Sequence, residues 1–125
     1  MEDFEGKVAV ITGGASGIGR ALADRFGAAG MKLVLGDIEN DALEAAAAEL
    51  RADGREVATL LCDVSKFADV EKLRDCALDT FGAVHVVCNN AGVGGGGPMQ
   101  LSTVKDWEWV LGVNLWGVIH GVRAF

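Results

Sequence analysis

Cysteine is scarce and poorly spaced for cross-linking. Cys62, Cys76 and Cys88 are odd in number and form no C-x-x-C pair, which argues against a disulfide framework and a zinc site. They read as small buried hydrophobes. Positive charge is also short: 11 Lys and Arg stand against 18 Asp and Glu, a net charge of −7. With no basic cluster to offset it, the surface as a whole repels nucleic acid and anionic membrane. The first residues, MEDFEGK, carry acid where a signal peptide carries positive charge, and no apolar run reaches the roughly 18 residues of a membrane span. The expectation is a cytoplasmic protein with neither nucleic-acid nor membrane partners. His85 and His120 lie far apart among apolar neighbours, so structural roles are expected for them and no metal site.

What is present is hydrophobic and regularly punctuated. Half of the 125 residues are apolar, enough for one domain with a real core. Short apolar runs at 7–11 (KVAVI), 32–35 (KLVL), 56–61 (EVATLL) and 83–88 (AVHVVC) read as strands. Between them lie helical stretches at 17–28, closed by Gly30, at 41–52, ending at Gly54, and one capped by Ser65 that runs to Phe81, with Gly82 just past it. Residues 93–98 (VGGGGP) read as a loop, bordering a pocket or serving as a plain connector. Thr103 and Asp106 then have capping-box spacing and open a last helix. Strands apolar on both faces and separated by helices predict a Rossmann-type doubly wound parallel sheet, a three-layer α/β/α arrangement.

The stretch VAVITGGASGIGR concentrates glycine between the first strand and the first helix. Glycine is costly inside regular structure, so Gly13, Gly17 and Gly19 should gain from their missing side chains. Gly13 permits a tight turn, Gly17 lets a pyrophosphate approach the backbone, and Gly19 lets the helix pack closely on the sheet. Free N–H groups around residues 16–19, the helix N-terminus and the Ser16 hydroxyl would hold the anion. A purely steric glycine turn is the alternative. Asp37, at the end of the second strand and 18 residues after Gly19, favours the dinucleotide, because an acid there accepts hydrogen bonds from a ribose. The same carboxylate would face the 2′-phosphate of NADP with no basic neighbour, since Gly36 and Ile38 flank it, so NAD is expected over NADP.

The last helix carries apolar residues around most of its circumference, among them Trp107, Trp109, Leu115, Trp116 and Val122, more than one face can bury. The chain stops at Phe125 without cap or polar tail. Both features suggest the N-terminal part of a longer protein, with a sheet incomplete on its C-terminal side. An open sheet edge and a bare helix would make such a piece prone to aggregate.

These motifs resemble the short-chain dehydrogenase/reductase family over essentially the whole chain. TGGASGIG at 12–19 is similar to that family's glycine turn, Asp37 falls at its ribose-binding acid, and Asp63-Val64 looks like its adenine-contacting pair. NNAG at 89–92 and Asn114 in VNLWG match two further family segments. The resemblance implies an oxidoreductase that transfers hydride between a nicotinamide cofactor and an alcohol or carbonyl substrate. It implies cofactor contacts at Gly13, Ser16, Gly17, Ile18, Gly19, Asp37, Asp63, Val64, Asn90, Ala91 and Gly92. It also implies a catalytic role for Asn114, whose carbonyl would hold a water in a proton relay, and a homo-oligomer for the intact protein. Each residue keeps a plainer alternative: Asp63 can cap a helix, residues 90–92 can stabilise a turn, and Asn114 can be a packing residue. The family's Ser and Tyr-x-x-x-Lys are missing, and the chain has no tyrosine at all, so these residues alone are expected to bind cofactor without turnover. Two other readings compete. One is a non-catalytic dinucleotide-binding or regulatory module of the same fold; the other is a sugar-nucleotide epimerase or dehydratase on a related fold, to whose G-x-x-G-x-x-G turn this spacing fits poorly.

Overall fold

The structure, a computed structural model, describes residues 3–125. Strand β1 (Val8–Thr12) is buried at every position, as expected of a central parallel strand covered on both faces. It pairs in parallel with β2 (Lys32–Asp37) on one side and with β4 (Val86–Cys88) on the other, and β2 pairs with β3 (Val57–Leu61), giving the order β3-β2-β1-β4.

Side-chain alternation then assigns each face. Ala9 and Ile11 of β1, with Leu33 and Leu35 of β2, meet α1 (Gly17–Ala28) and α2 (Asn40–Ala52) through Ala23, Leu43, Ala47 and Leu50. Val8, Val10 and Val34 face the other way, onto Val70, Leu73 and Ala77 of α3 (Phe67–Phe81) and Ala124 of α5 (Gly117–Ala124). Each of the fully buried Leu, Ile and Val side chains contributes about 1.5–3 kcal/mol of transfer free energy, and together they weld three layers into one core. The predicted α/β/α arrangement is present.

Several boundaries differ from the sequence reading, each for a local reason. The fourth strand is shorter than 83–88 because the His85 ring Nδ1 accepts the Val8 N–H at 3.0 Å, taking the place of a ladder carbonyl. Ser65 does not cap α3. The helix starts at Phe67 after Lys66, and the Ser65 hydroxyl instead donates to Asp63 Oδ1 at 2.6 Å. β2 runs on through Gly36 to Asp37, since a glycine there leaves room for the Leu73 methyls, 3.0 Å from where its Cβ would stand.

The last helical segment is three pieces: α4 (Val104–Leu111), a π turn at Gly112–Trp116, and α5. The Thr103/Asp106 capping box is formed in both directions, at 3.2 and 2.8 Å. A 3-10 turn at Met99–Leu101, not foreseen from sequence, precedes it. Among the described residues, no helix is long and apolar enough to cross a membrane.

Candidate functional site

Parallel strands deliver all their C-terminal ends to one edge, and the order β3-β2-β1-β4 places the turn after β1 between those after β2 and β4. The segments after all four strands line a single cleft of about 490 Å³, which α4 and the π turn close from the side through Trp109 and Val113.

The glycine turn is shaped for close approach. Gly13 and Gly17 have φ of +66° and +55°, conformations open to glycine at little cost. A Cβ on Gly13 would stand 3.0 Å from Ala91 Cα, whereas one on Gly17 would meet nothing within 4 Å. Gly19 packs against the turn itself and not against the body of the sheet: a Cβ there would collide with the Gly13 carbonyl and lie 2.7 Å from Asn90 Nδ2. Ser16 is the N-terminal flanking residue of α1 with an unengaged side chain, and the first intrahelical bond is Arg20 N–H to Ser16 O. The amides of residues 16–19 have no acceptor among the described residues. Ser16, Gly17 and Ile18 are exposed beside them.

Asp37 is tied to this turn. Its Oδ2 accepts the Ala15 N–H at 3.1 Å and its Oδ1 the Glu39 N–H at 3.0 Å. Each carboxylate oxygen has a second lone pair, so the group can still accept from a ligand.

Asp63 forms an Asx turn, its Oδ1 accepting from both the amide and the hydroxyl of Ser65, while Lys66 Nζ lies 3.6 Å from Oδ2. Partial burial pulls the Asp63 pKa up, but the Ser65 bonds and the Lys66 ammonium outweigh it and hold the carboxyl below its ordinary value. Val64 is buried against the Gly117 position, and its carbonyl accepts from His120 Nδ1 at 2.8 Å, a structural use of that histidine. Cys62, the first residue after β3, donates its backbone N–H to the Asp37 carbonyl at 2.9 Å. Desolvation, reinforced by Asp69, Asp63 and Asp37, pushes its thiol up to about 12, so it stays protonated and inert.

The β4 end is fastened to the glycine turn through Thr12. Its buried hydroxyl donates to the Cys88 carbonyl at 3.3 Å and accepts the amides of Asn90 and Ala91 at 3.0 and 3.1 Å. Asn90 Nδ2 donates to the carbonyls of Thr12 and Gly13. Gly92 is exposed beside Asn114, whose Oδ1 accepts the Val93 N–H at 2.7 Å while its Nδ2 donates to the Val93 carbonyl at 2.8 Å. Asn114 thus clamps the β4 loop to the π turn, a rare conformation that recurs at functional sites.

All the predicted cofactor positions therefore gather around one edge of the sheet, with Asn114 adjacent. Thr12 is the residue whose weight the sequence did not reveal. Thr12→Val keeps the shape but leaves the partly buried Ala91 amide without this acceptor, while Asn90 N–H and Cys88 O keep their bond to each other at 2.9 Å. It is expected to lower stability by about 1 kcal/mol in urea denaturation. An unchanged midpoint would mean the hydroxyl does not fasten the two strand ends.

A family model described as short chain dehydrogenase matches residues 7–125. Over 121 residues the chain is 44% identical to a 1-deoxy-11-beta-hydroxypentalenate dehydrogenase of Streptomyces exfoliatus, covering 95% of this chain and 44% of that protein. The crystal structure of a short chain dehydrogenase/reductase from Burkholderia phymatum in complex with NAD matches with a TM-score of 0.97 and 54% identity, over 100% of this chain and 44% of that one. A blue fluorescent protein from a metagenomic library, solved in complex with NADPH, matches with a TM-score of 0.90 and 30% identity, over 98% of this chain and 51% of that one. The chain spans less than half the length of the curated relatives it matches. Both the sequence and the path of the backbone lead to the same placement: the chain belongs to the short-chain dehydrogenase/reductase family of oxidoreductases.

Proposed function

We propose that the intact protein is an NAD-dependent oxidoreductase acting on a small alcohol or carbonyl substrate, and that these residues form its cofactor-binding domain. The observation that carries this reading is the convergence on one cleft of the unpaired amides of residues 16–19, the Asp37 carboxylate and the turn at residues 90–92. The residues fit a dinucleotide. The open space beside Gly17 admits a diphosphate to the α1 N-terminus, where the helix presents about half a positive charge. Asp37 would accept from the adenosine ribose hydroxyls, Asp63 and Val64 would border the base, and Asn90, Ala91 and Gly92 would line the second ribose.

A nicotinamide cofactor, when bound, supplies the hydride acceptor or donor. The chain's own part is to bind and orient it. Asn114 is assigned the positioning of a water through its backbone carbonyl, its side chain being committed to Val93. No tyrosine is available here as a phenolic acid or base, so these 125 residues are assigned binding without turnover.

NAD is preferred over NADP because Asp37 and Glu39, with Ile38 between them, face the place of a 2′-phosphate with no cation among the cleft residues. The exposed apolar face of α4 and α5 suits a homo-oligomer of the intact protein, and the absence of a basic patch suits a cytoplasmic enzyme acting on a small molecule. Calorimetric titration tests the reading: NAD should bind in the micromolar range and NADP at least tenfold more weakly. Tighter binding of NADP would remove the role given to Asp37, and no binding of either would remove the cleft's assignment.

A further inference from the structure

Two large apolar side chains stand half in solvent within the cleft: Ile38, 56% exposed, and Trp109, 50% exposed. They come from different elements. Ile38 follows the ribose acid at the end of β2, while Trp109 comes from α4 with Val113 one turn further on.

The helix passes near the turn after β3 at this point. A Cβ on Gly112 would lie 3.5 Å from Ser65 Cβ, so the segment that follows Trp109 lies against the turn after β3. The cleft next to that turn is lined by the apolar side chains of Ile38, Val64, Trp109 and Val113. Asp63 and Ser65, which also line it, are hydrogen-bonded to each other. An apolar lining whose neighbouring polar groups are already bonded to each other suits a planar heteroaromatic better than a sugar or a phosphate.

We propose that Trp109 forms the outer wall of a purine subsite, packing its indole on the adenine base of the dinucleotide and supplying a substantial part of its affinity. The inference rests on the dinucleotide reading of the cleft. It adds a binding residue from outside the strand-end motifs. Base stacking on an aromatic side chain is sequence-tolerant, and its removal is typically felt as a loss of about tenfold or more in affinity. Trp109 serves as such a platform without cost to the core, because it is half-exposed and belongs to neither buried cluster.

The test is calorimetric titration of the protein and its variants with NAD and with AMP, the fragment that carries only the purine end. Trp109→Leu, which keeps an apolar side chain but no π face, should weaken both ligands about tenfold, and Trp109→Phe by less than about threefold. Trp107→Leu, on the same helix but facing residues 95–97, should leave both affinities unchanged. Unchanged AMP binding in Trp109→Leu overturns the proposal, as does an equal loss in Trp109→Phe or in Trp107→Leu. NAD binding without measurable AMP binding by the unaltered protein also overturns it, since the base end would then contribute little. Failure of the unaltered protein to bind either ligand overturns the dinucleotide reading itself, a separate result.

Discussion

Asp37→Ala should weaken NAD about a hundredfold while leaving NADP within a few-fold of its starting affinity, so that the preference between the two dinucleotides collapses. The loss follows from removing charge-assisted hydrogen bonds to a ribose, worth about 1.5–3 kcal/mol each. The near-neutral effect on NADP follows from removing, in the same step, a carboxylate that would stand against a phosphate. Adding Ile38→Arg should carry the change through to a net preference for NADP, since that position is exposed next to Asp37 and no cation lines the cleft. Asp37 also accepts the Ala15 and Glu39 amides, so the variants should melt earlier by a few degrees. The measurement is the ratio of the two dissociation constants, which a general loosening of the turn would not move. A ratio unchanged in Asp37→Ala would show that the carboxylate serves the turn alone.

Gly19→Ala should produce the largest loss of stability of any single methyl group added to the glycine turn. The new Cβ would collide with the Gly13 carbonyl and press on Asn90 Nδ2. The space around Gly13 is tight as well, since a Cβ on it would stand 3.0 Å from both Ala91 Cα and Asn90 Nδ2. Overpacking against backbone costs about 3 kcal/mol, equivalent to roughly 10 °C in melting temperature for a chain of this size.

Gly17→Ala is the matched contrast. Its Cβ would enter open space, so only the left-handed φ is penalised, at about 1 kcal/mol, yet the methyl would project into the region assigned to the diphosphate. Thermal denaturation beside NAD titration separates the two: Gly19→Ala should lose stability first and Gly17→Ala should lose binding first. Equal melting temperatures for Gly19→Ala and the parent would show that the turn is looser than its packing implies.

The sheet was readable because its strands are apolar on both faces and each is followed by a helix with a glycine near its end. The helix Gly17–Ala28 matched to the residue, framed by Ser16 and Gly30. The reading failed where a side chain replaced a backbone group. The His85 ring shortens β4, and the Asp63–Ser65 bonds start α3 later than a serine cap would. The π turn was invisible because its insertion leaves the apolar pattern of the helix intact, and Val113 and Trp116 still look like helical positions.

Of the polar cleft residues, Glu39 and Ser65 were not among the expected site residues, whereas Ser16, Asp37, Asp63 and Asn90 could be named from the sequence. Ile38, Cys62, Trp109 and Val113 could not, since an apolar residue gives no sign of lining a cleft until the chain folds α4 back over the strand ends. The one available hint was the i, i+4 spacing of Trp109 and Val113 beside Asn114.

The single widened turn at Gly112–Trp116 has a rotational consequence. Each residue in a helix advances the side-chain direction by about 100°, so an inserted residue sets the phase between what lies before and after it. As built, α4 turns Trp109 inward over the strand ends, while α5 turns His120 and Ala124 down onto the opposite layer. Deleting one residue from that turn would swing the two halves out of step by about a quarter revolution, and the rod could then serve either the crevice or the interior but not both at once.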